Sequence, residues 1–435
     1  MLRILTVLHT MPNVKSYRTL CFENILDYLK TKSDVHMTWL VYMPDKLNVS
    51  LQNDSNITIL DIHGFKNAVE VIQTVKPDII WVAPTLNLPD YAFALAGKFL
   101  KIPVVGELVN ELFIKSDQFD AIKTYISQFF QSSVPTDAAT DKKQFMKRGR
   151  FFLYKYLFLL RTQKAVKMNT LKILEDFFTI VKAYLTVMKH LHNPKFAVNL
   201  HFVESQTLVE SLVRNGFERS SLVVSGIPMY DKVFQKLQEL QKSSLKQNDD
   251  KIHILLLTHA MYEHGYWTRG QRDRLVKEVV SEAVKYSDEM SLTVKIHPSS
   301  EILSEYQHLV NPIDPKIPIH QKGDILDFIF ACDIVLAYST ESALFYALVL
   351  GKPVIILNFF GLEHDLFLER GLVYECKETS SLISLIKQGV KSNVVNRKKL
   401  DDFIEEFLYK LDGRSSERIG NTLLDLSDNY KKKSQ

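Results

Sequence analysis

Cysteine is almost missing from this 435-residue chain, which has three, Cys21, Cys332 and Cys376, far apart and odd in number. No CxxC pair or Cys/His spacing accompanies them, so a disulfide scaffold, a zinc ribbon and a dithiol redox centre are excluded. Glycine (15) and proline (14) are sparse as well, which rules out collagen-like repeats and low-complexity disorder. No stretch reaches the ~20 uninterrupted apolar residues of a spanning helix, because Lys155 and Lys182 interrupt the two richest segments. The chain enters a strand-like run at Leu2 to Leu8 without the basic, apolar and small-residue regions of a signal peptide, so a cytoplasmic location is expected. An excess of one charge is missing too: 54 basic against 50 acidic residues is too near balance to mark a nucleic-acid binder. What is left, 46% apolar and 24% charged, describes an ordinary globular chain long enough for two or three domains.

Short β-branched runs open the chain: Arg3 to Leu8, Val35 to Tyr42, Ile57 to Ile62, Asp78 to Ala83 and Ile102 to Val105. Helix-length segments at 18–32, 66–76 and 90–100 separate them, the pattern of strands buried on both faces of a parallel sheet. From about 115 to 197 the pattern turns helical, and it returns to strands at Val198 to Val203 and Ser221 to Ser225. A polar Lys/Gln/Ser-rich stretch, 235–250, reads as a linker. A second alternation follows, with strands at Ile252 to Leu257, Leu292 to Ile296, Asp333 to Ala337, Pro353 to Leu357 and Leu372 to Tyr374. The expectation is an α/β protein of two Rossmann-like parallel-sheet domains facing a cleft, 1–234 with a helical insertion at about 115–197, and 251–397. The helical tail, 398–435, is expected to cross back to the first domain.

The balanced charge conceals a local excess. Residues 142–172 hold ten Lys or Arg and no acid, leaving 44 basic against 50 acidic groups in the rest of the chain. Between basic flanks runs the nearly apolar Phe151 to Leu160. Such a block suits an anionic membrane surface or a lipid-linked acceptor. The basic residues spread around the helical circumference, so a buried insertion helix with solvated ends fits equally. No RNA-binding module accompanies the block, and no nucleic-acid partner is expected.

Three segments of the second half carry polar groups at strand ends. Lys295-Ile-His-Pro298 closes a strand, so His297 and the Lys295 ammonium are expected at the ligand edge, with Ser299-Ser300-Glu301 opening a helix whose amides receive a phosphate. The competing reading is a satisfied strand-end cap. Tyr338-Ser-Thr-Glu-Ser342 lies between a strand and a helix, where Ser339, Thr340 and Ser342 either cradle a pyrophosphate or cap the helix. Thr258 ends another strand and is followed by His259, Glu263 and His264, whose spacing lacks a convincing third metal ligand. No metal is therefore expected. That loop, with Gly265 and Arg269, reads instead as a closure over donor phosphates.

The order Gly226-x-Pro-x-x-Asp231, Thr258, Lys295-Ile-His-Pro298, Gly323-Asp-Ile-Leu-Asp327, Cys332-Asp333-Ile, Ser339-Thr340 and Leu350-Gly-Lys-Pro-Val-Ile355 resembles the GT-B nucleotide-donor transferases. Within them it is most similar to the surface-polymer group: capsule transferases with an HP motif, CDP-glycerol glycerophosphotransferases and UDP-N-acetylglucosamine 2-epimerases. The motifs cover about 198–358, and Leu411-Asp-Gly-Arg-Ser-Ser-Glu-Arg-Ile419 resembles the C-terminal helix start of such enzymes. Departures are equally plain. Tyr346-Ala347 stands where many relatives have Glu-Ala on the donor ribose, leaving Glu341 for that role. Ser339-Thr-Glu-Ser342 replaces the glycine-rich epimerase loop, and Ala337-Tyr338 the acidic position of the CDP-glycerol enzymes.

The resemblance implies a peripheral enzyme at the inner face of the membrane, without a cofactor, that moves a sugar from a UDP-, CDP- or CMP-linked donor to a glycan or lipid-linked acceptor. The alternatives are a 2-epimerase, a polyol-phosphate transferase of CDP-glycerol type and a non-catalytic scaffold. Donor binding falls to His297, Lys295, Thr258, Ser339, Thr340, Ser342 and Glu341. The base on the acceptor hydroxyl is expected from the first domain, as Glu107 after the strand ending at Val105, Glu111 one helical turn later, or His9 after the first strand. Arg18 is read as either a phosphate contact or an exposed helix arginine.

Overall fold

The computed structural model describes residues 1–8, 17–41, 55–82, 88–107, 153–186, 198–214, 216–242, 250–263, 266–298, 300–338, 342–361, 365–392 and 396–434. These fall into two compact units: one takes the residues up to Glu107, from 153 to Phe234 and from Glu405 on, and the other runs from Gln235 to Ile404.

The first unit is built on strands β1 (Leu2–Leu8), β2 (Val35–Val41), β3 (Ile57–Asp61), β4 (Ile79–Val82), β5 (Val104–Glu107), β6 (Leu200–Val203) and β7 (Leu222–Val224). They lie in the order β3-β2-β1-β4-β5-β6-β7, all paired parallel. Successive residues serve opposite layers, which is why the runs read as continuously apolar. Ile4, Ile79 and Trp81 pack with Phe22 and Ile25 of the helix Tyr17–Lys30 and with Ile419 and Leu423 of the helix Ser415–Ser434. Leu5, Ile80 and Val82 face the other way, onto Ile72 of the helix Ala68–Val75, Phe93 of the helix Leu88–Leu100 and Phe158 of a helix at 153–165. Gly97 permits that approach, because a Cβ there would stand 2.3 Å from Val104 Cγ2.

The second unit repeats the scheme with β8 (Ile252–Leu257), β9 (Met290–Lys295), β10 (Ile319–His320), β11 (Ile334–Ala337), β12 (Val354–Leu357) and β13 (Tyr374–Cys376). Their order is β10-β9-β8-β11-β12-β13, again wholly parallel. Ile254, Leu256, Val294, Ile334, Leu336 and Ile355 form one core face with the helices Arg269–Val284, Leu303–Val310 and Leu382–Ser392. The two parallel sheets inferred from the alternation are therefore present.

Several details differ from the reading of the sequence. The stretch expected as a linker is helical through Lys242, part of the helix Tyr230–Lys242, because Lys, Gln, Glu and Leu are good helix formers whatever their polarity. The tail divides into two helices, Arg397–Leu408 and Ser415–Ser434, with Gly413 at φ +70° in the turn between them. In the insertion, residues 142–152 lie outside the described residues. Of the apolar run, Phe158 and Leu159 are buried in the first unit's core, while Asp176 of the helix Thr170–Thr186 accepts from Tyr91 Oη (2.6 Å) and Gln163 Nε2 (3.0 Å). Leu153 of the run is 54% exposed, and the second helix carries further exposed apolar side chains: Leu171, Leu174 and Phe178 are 70%, 49% and 67% exposed.

Candidate functional site

In an open parallel sheet, ligands gather at the carboxyl ends of the strands where the order reverses. In the second unit that point lies between β8 and β11. Register aligns the edge: Leu257 pairs with Lys295, Lys295 with His320, Leu256 with Leu336 and Ala337 with Ile356. The residues just beyond, Gln321, His297, Thr258, Tyr338 and Asn358, thus share one border of the sheet.

The loop after β9 is organised around Glu301. This carboxylate is 2% exposed and accepts the His297 backbone N–H (2.5 Å), the Thr258 hydroxyl on the same oxygen and the Tyr306 hydroxyl on the other. Three donors offset the cost of burying a charge. The Glu301 carbonyl receives Gln321 Nε2 at 2.7 Å, fastening the loop to the end of β10. Within the loop, the Ser300 backbone N–H donates to His297 Nδ1 at 3.2 Å. An Nδ1 that accepts cannot carry the proton, so the ring proton resides on Nε2.

Two expectations for this loop are corrected. Ser299 lies outside the described residues, and no helix opens at Ser300 or Glu301; the helix starts at Leu303 with Ile302 as its cap, and residue 301 is turned inward as an anchor. Lys295 does not emerge at the edge. Its ammonium donates to the carbonyls of Ile296 (3.0 Å) and Gln321 (2.9 Å), lies 5.8 Å from the Phe328 ring centre, and the residue is 5% exposed. Lys295 braces β9 against β10, because strand-end carbonyls with no ladder partner capture the nearest cation.

Behind the edge lies a buried ionic group. Arg272, 2% exposed, meets Glu263 (3.1 Å), Asp273 (2.8 Å) and Glu305 (2.7 Å), and its guanidinium lies 5.0 Å and 5.4 Å from the ring centres of Tyr262 and Tyr306. Glu263 is therefore an ion-pair partner of Arg272, and Arg269 lies 3.4 Å from Glu305. Burial raises the Glu263 carboxyl above its ordinary value. Tyr338 is fully buried against Trp267, with ring centres 5.0 Å apart, and burial pushes its phenol well above the usual range. Among the described residues, no three His, Cys, Asp or Glu side chains are grouped as a metal site.

The remaining expected residues are placed only in part. Ser342 opens the helix Ser342–Val349, Glu107 is the last residue of β5, and Arg18 lies in the helix Tyr17–Lys30. His9, Glu111, His264, Gly265, Ser339, Thr340 and Glu341 lie outside the described residues. Tyr346, at the position of the ribose glutamate, is buried.

Other motif residues serve the fold. Lys352 donates to the carbonyls of Phe330 (3.1 Å) and Cys332 (2.5 Å) at the end of the helix Ile325–Ala331, where a cation is favoured. Asp333 accepts the His253 N–H at 2.8 Å and Asp324 caps the same helix through Leu326 N (3.0 Å). Sequence reasoning missed Glu301 as an anchor and Arg272 as a buried cation; a carboxylate four residues beyond His297 and a tyrosine five further on were the available signal.

Residues 182–425, more than half of the chain, match the profile of the family described as CDP-Glycerol:Poly(glycerophosphate) glycerophosphotransferase. No curated protein matches the chain in sequence. Among solved structures, UDP-GlcNAc 2-epimerase from Neisseria meningitidis bound to UDP-GlcNAc is similar at 15% identity and TM-score 0.55, covering 98% of this chain and 100% of that one. CalG4, the calicheamicin glycosyltransferase, is similar at 12% identity and TM-score 0.53, covering 98% of each chain. The wall teichoic acid polymerase TagF soaked with CDPG gives 12% and 0.51, covering 100% of this chain and 90% of that one. At these identities the likeness establishes the fold, and the GT-B kinship read from the motifs holds.

Proposed function

Because the chain belongs to the CDP-glycerol:poly(glycerophosphate) glycerophosphotransferase family, we propose that it transfers a polyol phosphate, glycerol phosphate first among them, from a cytidine diphosphate donor to a hydroxyl of a surface polymer or its lipid-linked precursor. Read from the motifs alone, the transferred group is a sugar. Family membership favours the polyol phosphate and, of the UDP-, CDP- and CMP-linked donors expected, the CDP-linked one. The observation that carries the reading is His297: its ring is held with the proton on Nε2, at the carboxyl edge of β9, beside the switch point of a sheet inside the matched region.

In this reading the acceptor oxygen bonds to the β-phosphorus, the bond from that phosphorus to the bridging oxygen breaks, and CMP departs with the electron pair. His297 Nε2–H, the amides at the start of the helix Ser342–Val349, and Ser339, Thr340 and Ser342 meet the developing charge. Thr258 keeps a supporting place, through Glu301. Glu341 is assigned to the ribose. The acceptor proton goes to a base, for which Glu107, at the end of β5, is proposed ahead of His9 and Glu111. The reaction is metal-independent and survives EDTA.

Calorimetry with CDP-glycerol, CDP, UDP and UDP-GlcNAc tests this directly. The cytidine ligands bind, and His297→Ala weakens them about 10- to 100-fold, the worth of a hydrogen bond to a charged group. Release of CMP from CDP-glycerol in the presence of a glycerophosphate acceptor identifies the reaction. Silence with every nucleotide at millimolar concentration sinks the donor site, and conversion of UDP-GlcNAc without an acceptor favours an epimerase.

A second surface belongs to this reading. Leu171, Leu174 and Phe178 share one face of the helix Thr170–Thr186, and Lys164, Lys167 and Lys172 are exposed near them in the sequence. This pairing of bare apolar side chains with cations supports docking on an anionic membrane.

A further inference from the structure

We infer that Glu301 is a positioning residue that acts through His297, presenting its Nε2–H to the donor phosphates; the inference rests on the reading of the donor site above. The β9 loop is closed from inside by two bonds whose donors stand three residues apart, His297 N–H and Ser300 N–H. His297 N–H donates to Glu301 Oε2 at 2.5 Å, which fixes where the backbone of residue 297 stands. Ser300 N–H donates to His297 Nδ1 at 3.2 Å, which fixes the tautomer and orientation of the ring. Neither bond holds the ring alone, because Ser300 reaches Nδ1 only while the chain between 297 and 301 stays folded back on itself.

Glu301 also joins this loop to two independent elements. Its Oε2 takes the Thr258 hydroxyl from the end of β8, the strand at the switch point, and its Oε1 takes the Tyr306 hydroxyl from the helix Leu303–Val310. A loop that needed only an anchor would be served by an apolar side chain at this 2% exposed position without the cost of a buried carboxylate. The carboxylate instead takes the backbone N–H of His297 together with two hydroxyls. Second-layer groups of this kind orient a reacting side chain and lose their effect when that side chain is removed.

The test reads the ring itself. In the wild-type protein labelled with 15N-histidine, with the His297 signals assigned by their loss in His297→Ala, the ring shows a protonated Nε2 and a bare Nδ1. A protonated Nδ1 overturns the inference without any variant at residue 301. In Glu301→Ala the ring becomes a mixture of tautomers and CDP binds at least 10-fold more weakly. Glu301→Gln keeps an oxygen facing His297 N–H and stays within about 3-fold of wild type, so it separates loss of the acceptor from loss of the charge. The double variant His297→Ala, Glu301→Ala binds CDP no worse than His297→Ala alone, because Glu301 acts through the ring. Additive losses overturn the inference, as does an unchanged tautomer in Glu301→Ala. If the tautomer changes while neither single variant alters CDP binding, the positioning holds and the donor-site reading falls.

Discussion

The carboxylate of Asp231 accepts the backbone N–H groups of both Ser415 (3.0 Å) and Ser416 (2.8 Å). A residue in the first turn of the helix Tyr230–Lys242 thus caps the helix Ser415–Ser434, whose other contacts include Tyr28 Oη to Asn421 Oδ1 at 2.8 Å. Asp231→Ala leaves two buried donors unpaired and removes a negative charge from a helix start, a loss of about 2 kcal/mol. Hydrogen exchange reads it: the amides of that helix lose roughly 30-fold in protection. Unchanged exchange in the variant refutes the cap.

Gly226 belongs to the same junction. It sits at φ +74°, and a Cβ there would lie 2.7 Å from Ser415 Oγ and 3.3 Å from the Leu408 carbonyl. Gly226→Ala therefore combines left-handed strain with a clash against the capped serine, about 1–3 kcal/mol in a urea titration. Because both substitutions disturb Ser415, Gly226→Ala with Asp231→Ala costs less than the sum of the two. A strictly additive pair shows that the two residues act on separate structures.

These residues show what a sequence discloses and what it withholds. The Gly226-x-Pro-x-x-Asp231 pattern was visible, but its partner lies 184 positions away and nothing local names it. Strands such as Ile79–Val82 and Ile334–Ala337 were legible because every side chain is buried, whereas β10, Ile319–His320, is too short to form a run. The helix running through 235–242 was not legible, because a polar composition does not distinguish a solvated helix from a loop. At the site, strand-end placement brought His297 forward, but the fate of the Lys295 ammonium depends on the Gln321 carbonyl, which only the folded chain brings near. Lone cations and carboxylates at strand ends look alike in sequence; Lys295 and Glu301 turned inward because unpaired backbone groups at the sheet edge needed them.

The Glu263 carboxyl gives stability a sign in pH. Burial, with Glu301 nearby, raises it above the ordinary 4.5 despite the ion pair with Arg272. The folded state then holds that proton more tightly than the unfolded chain, so stability from this group is present below about 4.5 and is lost as pH rises through the folded value. Glu263→Gln removes the titration. The urea midpoint of wild type relative to Glu263→Gln is therefore more favourable at pH 4 than at pH 7. A difference that is constant with pH, or that moves toward wild type on raising it, contradicts the assignment.

The exposed face of the helix Thr170–Thr186 offers the sharpest test of membrane docking. Leu171 and Phe178 lie two turns apart on one side, while Asp176 and Ile180 on the other are buried. Partial insertion of two such side chains contributes on the order of 2 kcal/mol, or about 30-fold in partitioning. Each nearby lysine adds roughly 1 kcal/mol on an anionic surface. Leu171→Asp with Phe178→Asp should therefore abolish most sedimentation with phosphatidylglycerol vesicles, at low and high salt alike. Replacing Lys164, Lys167 and Lys172 by Gln should weaken binding mainly at low salt, since screening has already removed that contribution at 1 M. The aspartates leave every cation in place, and at 1 M salt, where charges are screened, their effect reads the apolar face alone. Equal sedimentation of wild type and the aspartate variant would place any membrane contact elsewhere on the chain.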